Sequence, residues 1–226
     1  MKPINDIYID IIKDIWYNGI EVSPRGKKVK EILGYKVVCD PKDNIITLPG
    51  LKTNTNYASK ELEWYESGTN KIDFDPLINK IWLKFSDDGK TVNSAYGYYI
   101  FNKDYATSQG LKDSQWNLVK EKLKSDNDSR QAIININNTH HKSNYETKDF
   151  PCTIYCQVFI RNNKLYWITN MRSNDIYYGF RNDLYTFTEL QKRLAKELGI
   201  KCGEYIHIAG SMHLYESEFE KVKEYL

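Results

Sequence analysis

The sequence predicts an α+β fold in which a single domain spans residues 1–226. Apolar residues at helical spacing dominate the first half of the chain, whereas short segments rich in β-branched and aromatic residues dominate beyond about residue 130. No repeat or low-complexity linker divides the two parts. A chain of 226 residues is also long enough to bury a substantial core within one domain.

Helices are predicted where apolar residues recur every three or four positions. The first covers residues 4–17 and ends at Asn18-Gly19. The second covers residues 60–66, with Ser59 as its expected N-cap and Gly68 at its end. Further helices are predicted over residues 76–85, around 116–123, over 187–198 and, as a short charged helix, over 216–226.

Strands are predicted where β-branched and aromatic residues lie between turn-forming residues. They cover residues 35–39, 45–48, 132–136, 153–160, 165–170 and 205–214. Asn162-Asn163 is expected to form a tight turn between two of these strands. The polar residues 137–149, which include His140-His141, are expected to form a loop, as is the turn-rich segment 23–26.

The charge balance argues against a dedicated nucleic-acid binder. Thirty-two basic and thirty acidic residues give a formal net charge of +2, with no long block of one sign. The apolar runs are shorter than the roughly 18 residues of a membrane span, and the first residues lack the apolar core of a signal peptide. We therefore expect a cytoplasmic protein with no nucleic-acid or membrane partner.

The cysteines are expected to be free thiols, because they form no CxxC pair and no metal-like cluster with the four histidines. Cys152 follows Pro151 at a predicted strand start, where a thiol can face a pocket. Cys156 lies four residues further on and shares a strand face with Cys152 if the strand is regular. A lone strand cysteine is most often a small buried hydrophobic residue, so the function of Cys152 depends on its neighbours.

A phosphate-binding pair follows Cys152 twenty residues later. Arg172-Ser173 combines a guanidinium fork with a hydroxyl at a predicted strand end, a combination that suits a phosphate dianion. Nearby positive charge also favours the thiolate form of a cysteine. Together these residues predict a nucleophilic thiol that acts on a phosphorylated small molecule.

Ordered motifs along residues 20–215 support this prediction. They are Arg25 in Ser-Pro-Arg-Gly, Glu61, Trp64, Gly68, Ile81-Trp82, Tyr96-Gly97, Asp128-Ser129-Arg130, Pro151-Cys152, Gln157, Arg172-Ser173-Asn174-Asp175, Gly179, Asp183, His207 and His213-Leu214-Tyr215. In type and order, these motifs resemble those of the thymidylate synthase family. The resemblance implies a mixed β-sheet flanked by helices and a homodimer that forms through the sheet.

The resemblance also implies catalytic roles. Cys152 would add to C6 of a pyrimidine nucleotide, and the activated C5 would take a one-carbon unit from the co-substrate 5,10-methylenetetrahydrofolate. Glu61 resembles the carboxylate that organises water and proton transfers, and Tyr96 resembles the tyrosine associated with C5 deprotonation. Asp183 would contact the base. No metal is implied.

Binding roles follow from the same resemblance. The phosphate would be held by Arg25, Arg172 and Ser173, joined by Arg130 from the second subunit of the homodimer. His213 and Tyr215, which alternate onto one strand face, resemble the pair that binds the sugar 3′-hydroxyl. Gln157 is assigned to the substrate, and Trp82, Asp175 and Gly179 are assigned to the folate.

Asp183 departs from the family pattern, because thymidylate synthases usually have Asn at this position. A carboxamide can accept from uracil N3–H and donate to O4, whereas a protonated carboxyl can donate to cytosine N3 and accept from its amino group. Phage deoxycytidylate hydroxymethylases in this superfamily have Asp at the matching position. The neighbouring Asn182 would restore a uracil-type site if the register shifted by one residue.

Other departures concern Thr153 in place of a histidine, Gln131 in place of a second arginine, and Ser211 in place of an acid. Ser211 has no explanation from the sequence. The sequence given stops eleven residues after Tyr215, and a missing C-terminal lid would favour hydroxymethylation over methylation by admitting water.

These features predict a deoxycytidylate 5-hydroxymethyltransferase, phage-encoded and acting in the host cytoplasm. The alternatives are a thymidylate synthase, a hydroxymethylase of dUMP or CMP, and a non-catalytic nucleotide-binding relative.

Overall fold

A mixed seven-stranded sheet forms the centre of the computed structural model, which describes residues 1–137 and 146–226. The strand bounds are β1 Ile20–Val22, β2 Val29–Cys39, β3 Ile133–Asn135, β4 Thr153–Arg161, β5 Lys164–Met171, β6 Asn174–Asp175 and β7 Lys201–Tyr215. Their order is β1-β2-β7-β5-β4-β3, and β6 pairs with the end of β7. The β7 pairings with β5 and β6 are parallel, and the other pairings are antiparallel.

Eight α-helices are described, interspersed with short 3₁₀ turns. Their bounds are α1 Ile4–Asn18, α2 Thr55–Glu66, α3 Pro76–Trp82, α4 Tyr96–Phe101, α5 Lys103–Ser108, α6 Gln115–Ser125, α7 Gly179–Glu197 and α8 Phe219–Val222. Residues 138–145, which include His140-His141 of the predicted loop, lie outside the described residues.

The core lies between one face of the sheet and the helices. Alternate side chains of β4, β5 and β7 are fully buried on this face, among them Val158, Trp167 and Tyr205. The indoles of Trp167 and Trp116, from α6, lie 6.3 Å apart. Strands supply side chains to this face at every second residue and helices at every third or fourth, and the sequence shows both periods.

The intervening side chains of the same strands face the other way and remain partly exposed. This open face is defined by Val38, Tyr155, Phe159, Tyr166, Ile168, Ile206 and Ile208. Lys36, Gln157 and Asn170 pair with members of this set and lie on the same face, so the face combines a large apolar area with a few polar side chains.

Several predicted elements are confirmed. Helix α1 begins at Ile4 as predicted, β3, β4, β5 and β7 lie within a few residues of their predicted bounds, and α6 follows the predicted spacing. Asn162 and Asn163 have positive φ angles of 50° and 56°, as a tight hairpin turn between twisted strands requires. The C-terminal residues form short 3₁₀ and helical turns.

Other predictions were wrong. Residues 45–48 form no strand, and β2 extends from Val29 instead of starting near residue 35. Helix α2 starts at Thr55, because the Asn54 side chain, and not that of Ser59, caps it by accepting from the backbone N–H of Tyr57. Helix α7 begins at Gly179, eight residues before the predicted start, and α4 and α5 were not predicted at all.

Candidate active site

Cys152 lies immediately before β4, where the chain meets the end of β5. Its carbonyl accepts from the backbone N–H of Arg172 at 2.8 Å. The β4–β5 register shifts between Thr153 and Tyr155, so the regular strand that the shared face with Cys156 required is interrupted. Cys156 is fully buried against Thr169, whereas Cys152 is only partly buried. The two thiols therefore have different environments.

Arg172 is fixed around the thiol. Its Nε donates to the Pro151 carbonyl at 3.1 Å, and its Nη2 donates to the Phe150 carbonyl at 2.7 Å. The same Nη2 lies 3.6 Å from Cys152 Sγ. Burial raises the pKa of the Cys152 thiol, while the Arg172 charge and a hydrogen bond with Ser173 oppose that rise.

A cavity of about 470 Å³ adjoins this arginine and is lined by Arg25, Glu146, Thr147, Lys148, Phe150 and Arg172. Arg25 lies in a 3₁₀ turn at Pro24–Gly26, with a left-handed φ of 54°. The structure thus brings together two of the arginines assigned to the phosphate. Three cationic side chains against one acid make the cavity suited to an anion.

His213 and Tyr215 are adjacent on the end of β7, with ring centroids 5.2 Å apart. The His213 carbonyl accepts from the Ile176 N–H, which fixes the strand against β6. Burial lowers the pKa of His213, so its ring is neutral at neutral pH and has one donor and one acceptor nitrogen. The predicted common face of these two residues is observed.

Two carboxyl groups meet where α2 and α7 pack together. Burial raises the pKa of Glu61 to about 7, against hydrogen bonds from Tyr57 and Trp82. Burial and the Glu61 charge raise the pKa of Asp183 to about 8, against a hydrogen bond from Asn174. Since each negative charge disfavours the other, the pair holds a proton at neutral pH.

Tyr96 lies between this pair and the thiol. Its hydroxyl accepts from the Thr153 backbone N–H at 3.3 Å, one residue after Cys152. Burial raises the pKa of Tyr96 well above its ordinary value, and the neighbouring Cys152 and Asp183 raise it further. Tyr96 therefore stays protonated across the physiological range.

Sequence reasoning missed Asn174 as part of this site. Its Nδ2 donates to Asp183 Oδ2 at 2.7 Å, and its Oδ1 has no partner among the described residues. A Cβ at Gly179 would lie 2.9 Å from that Nδ2, so the glycine leaves room for the pair. Asn174 stands beside Arg172-Ser173 in the sequence, but no feature of the sequence predicts its bond to a residue nine positions away.

The residues assigned to the folate lie on two sides of the carboxyl pair. Trp82, at the end of α3, is half-buried and contacts Phe85, with centroids 5.6 Å apart. Asp175 accepts from the Tyr177 N–H at 2.8 Å, and burial raises its pKa to about 6. A partly exposed aromatic surface and a carboxyl suit the ring and the donor groups of a pterin.

Arg130 and Gln157 lie apart from these groups. Arg130 is exposed before β3, and it does not line the cavity shared by Arg25 and Arg172. Gln157 Nε2 donates to the Arg130 carbonyl at 2.9 Å, which ties the arginine segment to β4. Within a single chain, Arg130 therefore does not line the phosphate cavity.

Two departures in the sequence receive structural explanations. The Asn182 amide donates to the Tyr178 carbonyl one turn earlier, at 3.4 Å, whereas Asp183 interacts with Glu61, so the alternative register is not the one observed. Ser211 lies within β7 and its hydroxyl donates to Glu31 on β2. The neighbouring strand therefore supplies the acid that the Ser211 position lacks.

The described part of the chain offers neither a cluster of metal ligands nor a membrane-spanning helix. No group of three or more His, Cys, Asp or Glu side chains is placed there to hold a metal ion. None of the helices in residues 1–137 and 146–226 combines the length and apolar character needed to cross a bilayer.

Comparison with known proteins agrees with this geometry. A family model described as thymidylate synthase matches residues 6–226. Thermostable thymidylate synthase A from Bacillus subtilis has a similar fold, with a TM-score of 0.83 and 24% identity, covering 99% of this chain and 84% of that one. This likeness confirms the predicted mixed sheet flanked by helices.

Phage enzymes are among the relatives. A deoxyuridylate hydroxymethyltransferase of Bacillus phage SP01 is 32% identical over 96% of this chain, which spans 58% of that protein's length. The deoxycytidylate 5-hydroxymethyltransferase of Enterobacteria phage T4 is 31% identical over 88% of this chain and 80% of its own length. The fold is thus that of thymidylate synthases. The chain belongs to the thymidylate synthase family, as the sequence motifs predicted.

Proposed function

We propose that the protein is a deoxycytidylate 5-hydroxymethyltransferase, which converts dCMP, 5,10-methylenetetrahydrofolate and water to 5-hydroxymethyl-dCMP and tetrahydrofolate. The observation that carries this proposal is the carboxyl of the half-buried Asp183, whose pKa is raised to about 8 by desolvation and by the Glu61 charge. At neutral pH it is protonated, so one oxygen donates to cytosine N3 while the other accepts from the 4-amino group. Uracil presents the opposite polarity and would require the proton on the other carboxyl oxygen, and the Asn174 amide, which donates to Oδ2, makes the two oxygens inequivalent.

The nucleophile is Cys152. Its thiolate adds to C6 of the pyrimidine, which places electron density on C5, and it leaves again when the product forms. Arg172, 3.6 Å from the sulfur, stabilises the thiolate and faces the phosphate cavity with Arg25. Arg172 would then position the nucleotide and activate the thiol together, while His213 and Tyr215 hold the sugar.

Proton movement falls to Glu61 and Tyr96. With a pKa of about 7, Glu61 can both accept and donate a proton near neutral pH. Tyr96 has a strongly raised pKa, so its hydroxyl acts as a donor that orients the acceptor of the C5 proton. The pair is positioned by contacts between α2, α4 and α7.

The co-substrate supplies the one-carbon unit when it is bound. Trp82 would stack on its ring system and Asp175 would hydrogen-bond the pterin, and Gly179 would lie beside Asp175 in the same folate site. Water provides the oxygen of the hydroxymethyl group. Both named phage relatives are hydroxymethyltransferases, which supports this product over a methyl group.

A homodimer would complete the site. The open sheet face is largely apolar and partly exposed, which supports a dimer interface through the sheet. Arg130 lies outside the phosphate cavity of its own chain, which is consistent with donation to the cavity of the second subunit. Given its phage relatives, we place the enzyme in a phage-infected host cytoplasm.

The test is tritium release from C5 of dCMP, CMP and dUMP, with and without 5,10-methylenetetrahydrofolate. We expect release from dCMP that Cys152→Ala abolishes, together with 5-hydroxymethyl-dCMP in the product. Release from dUMP alone would favour the activity named for the SP01 relative, and release from CMP would move the proposal to ribonucleotides. Accumulation of dihydrofolate would indicate methylation. Turnover that survives Cys152→Ala would contradict the nucleophile.

A further inference from the structure

A hydrogen-bonded chain of three side chains ends on Glu61. Trp82 Nε1 donates to the Tyr57 hydroxyl at 3.0 Å, and that hydroxyl donates to Glu61 Oε1 at 2.6 Å. Tyr57 is 7% exposed and Glu61 is 5% exposed, so water has little access to either group. Tyr57 lies one helical turn before Glu61 on α2, which places both side chains on one helix face.

The directions of these bonds follow from the chemistry of the donors. An indole N–H can only donate, so the Tyr57 oxygen accepts from Trp82. The phenol has a single proton, and it points to Glu61 Oε1. Burial, followed by the negative charge of Glu61, raises the pKa of Tyr57, so the phenol keeps this proton. When Glu61 is ionised, each bond in the chain thus has one polarity.

We propose that Tyr57 is a positioning residue that makes Glu61 exchange its proton through Oε2. Oε1 is engaged as an acceptor from Tyr57, which leaves Oε2 as the oxygen that carries the exchanging proton. Trp82 orients the phenol, because its N–H donates to one lone pair of the Tyr57 oxygen. The role in catalysis rests on the proposed function, in which Glu61 moves protons at the base.

The other groups around Glu61 act on the same equilibrium. Burial raises its pKa, while the hydrogen bonds of Tyr57 and Trp82 lower it. Asp183 of α7 is the charged neighbour, and the interaction of the two carboxyls raises the pKa of Asp183. Tyr65, also on α2, is buried and stays protonated beside Glu61. Among these groups, Tyr57 makes the hydrogen bond that is assigned to one oxygen of Glu61, Oε1 at 2.6 Å.

The test is the titration of Glu61 in the full chain, followed by ¹³C NMR with labelled glutamate and assigned with Glu61→Gln. Tyr57→Phe keeps the ring and removes the hydroxyl, so the ionised form of Glu61 loses a donor. We expect its pKa to rise by about one unit. Trp82→Phe should shift it in the same direction by less, because Glu61 then loses the smaller effect of Trp82 and the phenol loses its donor.

The matched control is Tyr35→Phe. Tyr35 also donates to a carboxylate at 2.6 Å, that of Asp14, but on the α1 side of the molecule. The Tyr35→Phe variant should therefore leave the Glu61 titration unchanged. Thermal unfolding checks that each variant is folded, and Trp82→Phe provides the test if Tyr57→Phe does not fold. An unchanged Glu61 pKa in the folded variants would overturn the proposal. This titration is measured without substrate.

Activity supplies the second readout. In the C5 tritium-release assay, Tyr57→Phe should lower kcat by about ten- to a hundredfold and leave the KM for the nucleotide within about threefold. The acidic limb of its pH profile should move upward with the Glu61 titration. A rise in KM with normal kcat would contradict the role in proton transfer. If Glu61 shifts but no pyrimidine nucleotide releases tritium, the proposed function fails while the positioning role stands.

Discussion

At the residue scale, the protonation of Asp183 makes the recognition of cytosine depend on pH. Its pKa of about 8 makes the donor form dominant below that pH. We expect the dissociation constant for dCMP to rise about tenfold per pH unit above pH 8, as one required proton is lost. Asp183→Asn carries no such proton, so its affinity for dCMP should be lower by about a hundredfold and independent of pH.

Calorimetric titration of dCMP between about pH 6.5 and 9.5 measures both effects, since this range extends roughly 1.5 units on either side of the Asp183 pKa. The same slope in wild type and in Asp183→Asn would assign the titration to another group. Asn174→Ala removes the donor to Asp183 Oδ2 and keeps the carboxyl itself, so it tests this hydrogen bond separately from the carboxyl.

At the element scale, the site depends on the close approach of α2 and α4. A Cβ at Gly97 would lie 2.0 Å from the Tyr65 carbonyl, so no side chain fits between the helices that carry Glu61 and Tyr96. We expect Gly97→Ala to lower the free energy of unfolding by about 3 kcal/mol or more. Gly199→Ala, which has open space and only a positive φ of 70°, should cost about 1 kcal/mol. Urea denaturation compares the two, and equal losses would refute the contact argument.

The elements also show what a sequence can predict. Helices α1 and α6 were recognisable because their apolar residues follow a helical period over several turns. Helix α4 has only six residues, Tyr-Gly-Tyr-Tyr-Ile-Phe, and its glycine is explained by a contact with α2 that local patterns do not contain. The start of α7 was hidden because Gly179 resembles a turn residue, although it serves the packing of Asn174 and Asp183.

The same distinction applies to the site. Cys152, Arg172 and Asp183 could be predicted because family motifs surround them. Tyr57 is one of eighteen tyrosines, and its function depends on Trp82 from another helix. Such a role is defined by side chains that meet only after folding, so single-sequence patterns do not identify it.

At the scale of the whole molecule, the proposed dimer predicts complementation between inactive chains. Arg130→Ala and Cys152→Ala should each lose most activity alone. In mixed dimers, one site would combine the intact Cys152 of one chain with the intact Arg130 of the other. Random reassociation then restores about a quarter of wild-type activity. If Arg130 acted within its own chain, no mixed site would be intact, and the mixture would stay inactive.

The buried carboxyl of Asp183 finally has a thermodynamic consequence for the whole fold. In the unfolded chain it ionises near pH 4, whereas in the folded chain it stays protonated up to about pH 8. Between these values the unfolded state holds fewer protons, so the free energy of unfolding falls by up to about 1.4 kcal/mol per pH unit. Asp183→Asn should therefore stabilise the fold by a few kcal/mol at pH 8 and lose this advantage near pH 4, which chemical denaturation at the two pH values would reveal. Asp183 would thus provide selectivity for cytosine while lowering the free energy of unfolding. Selection for stability alone would favour asparagine at position 183.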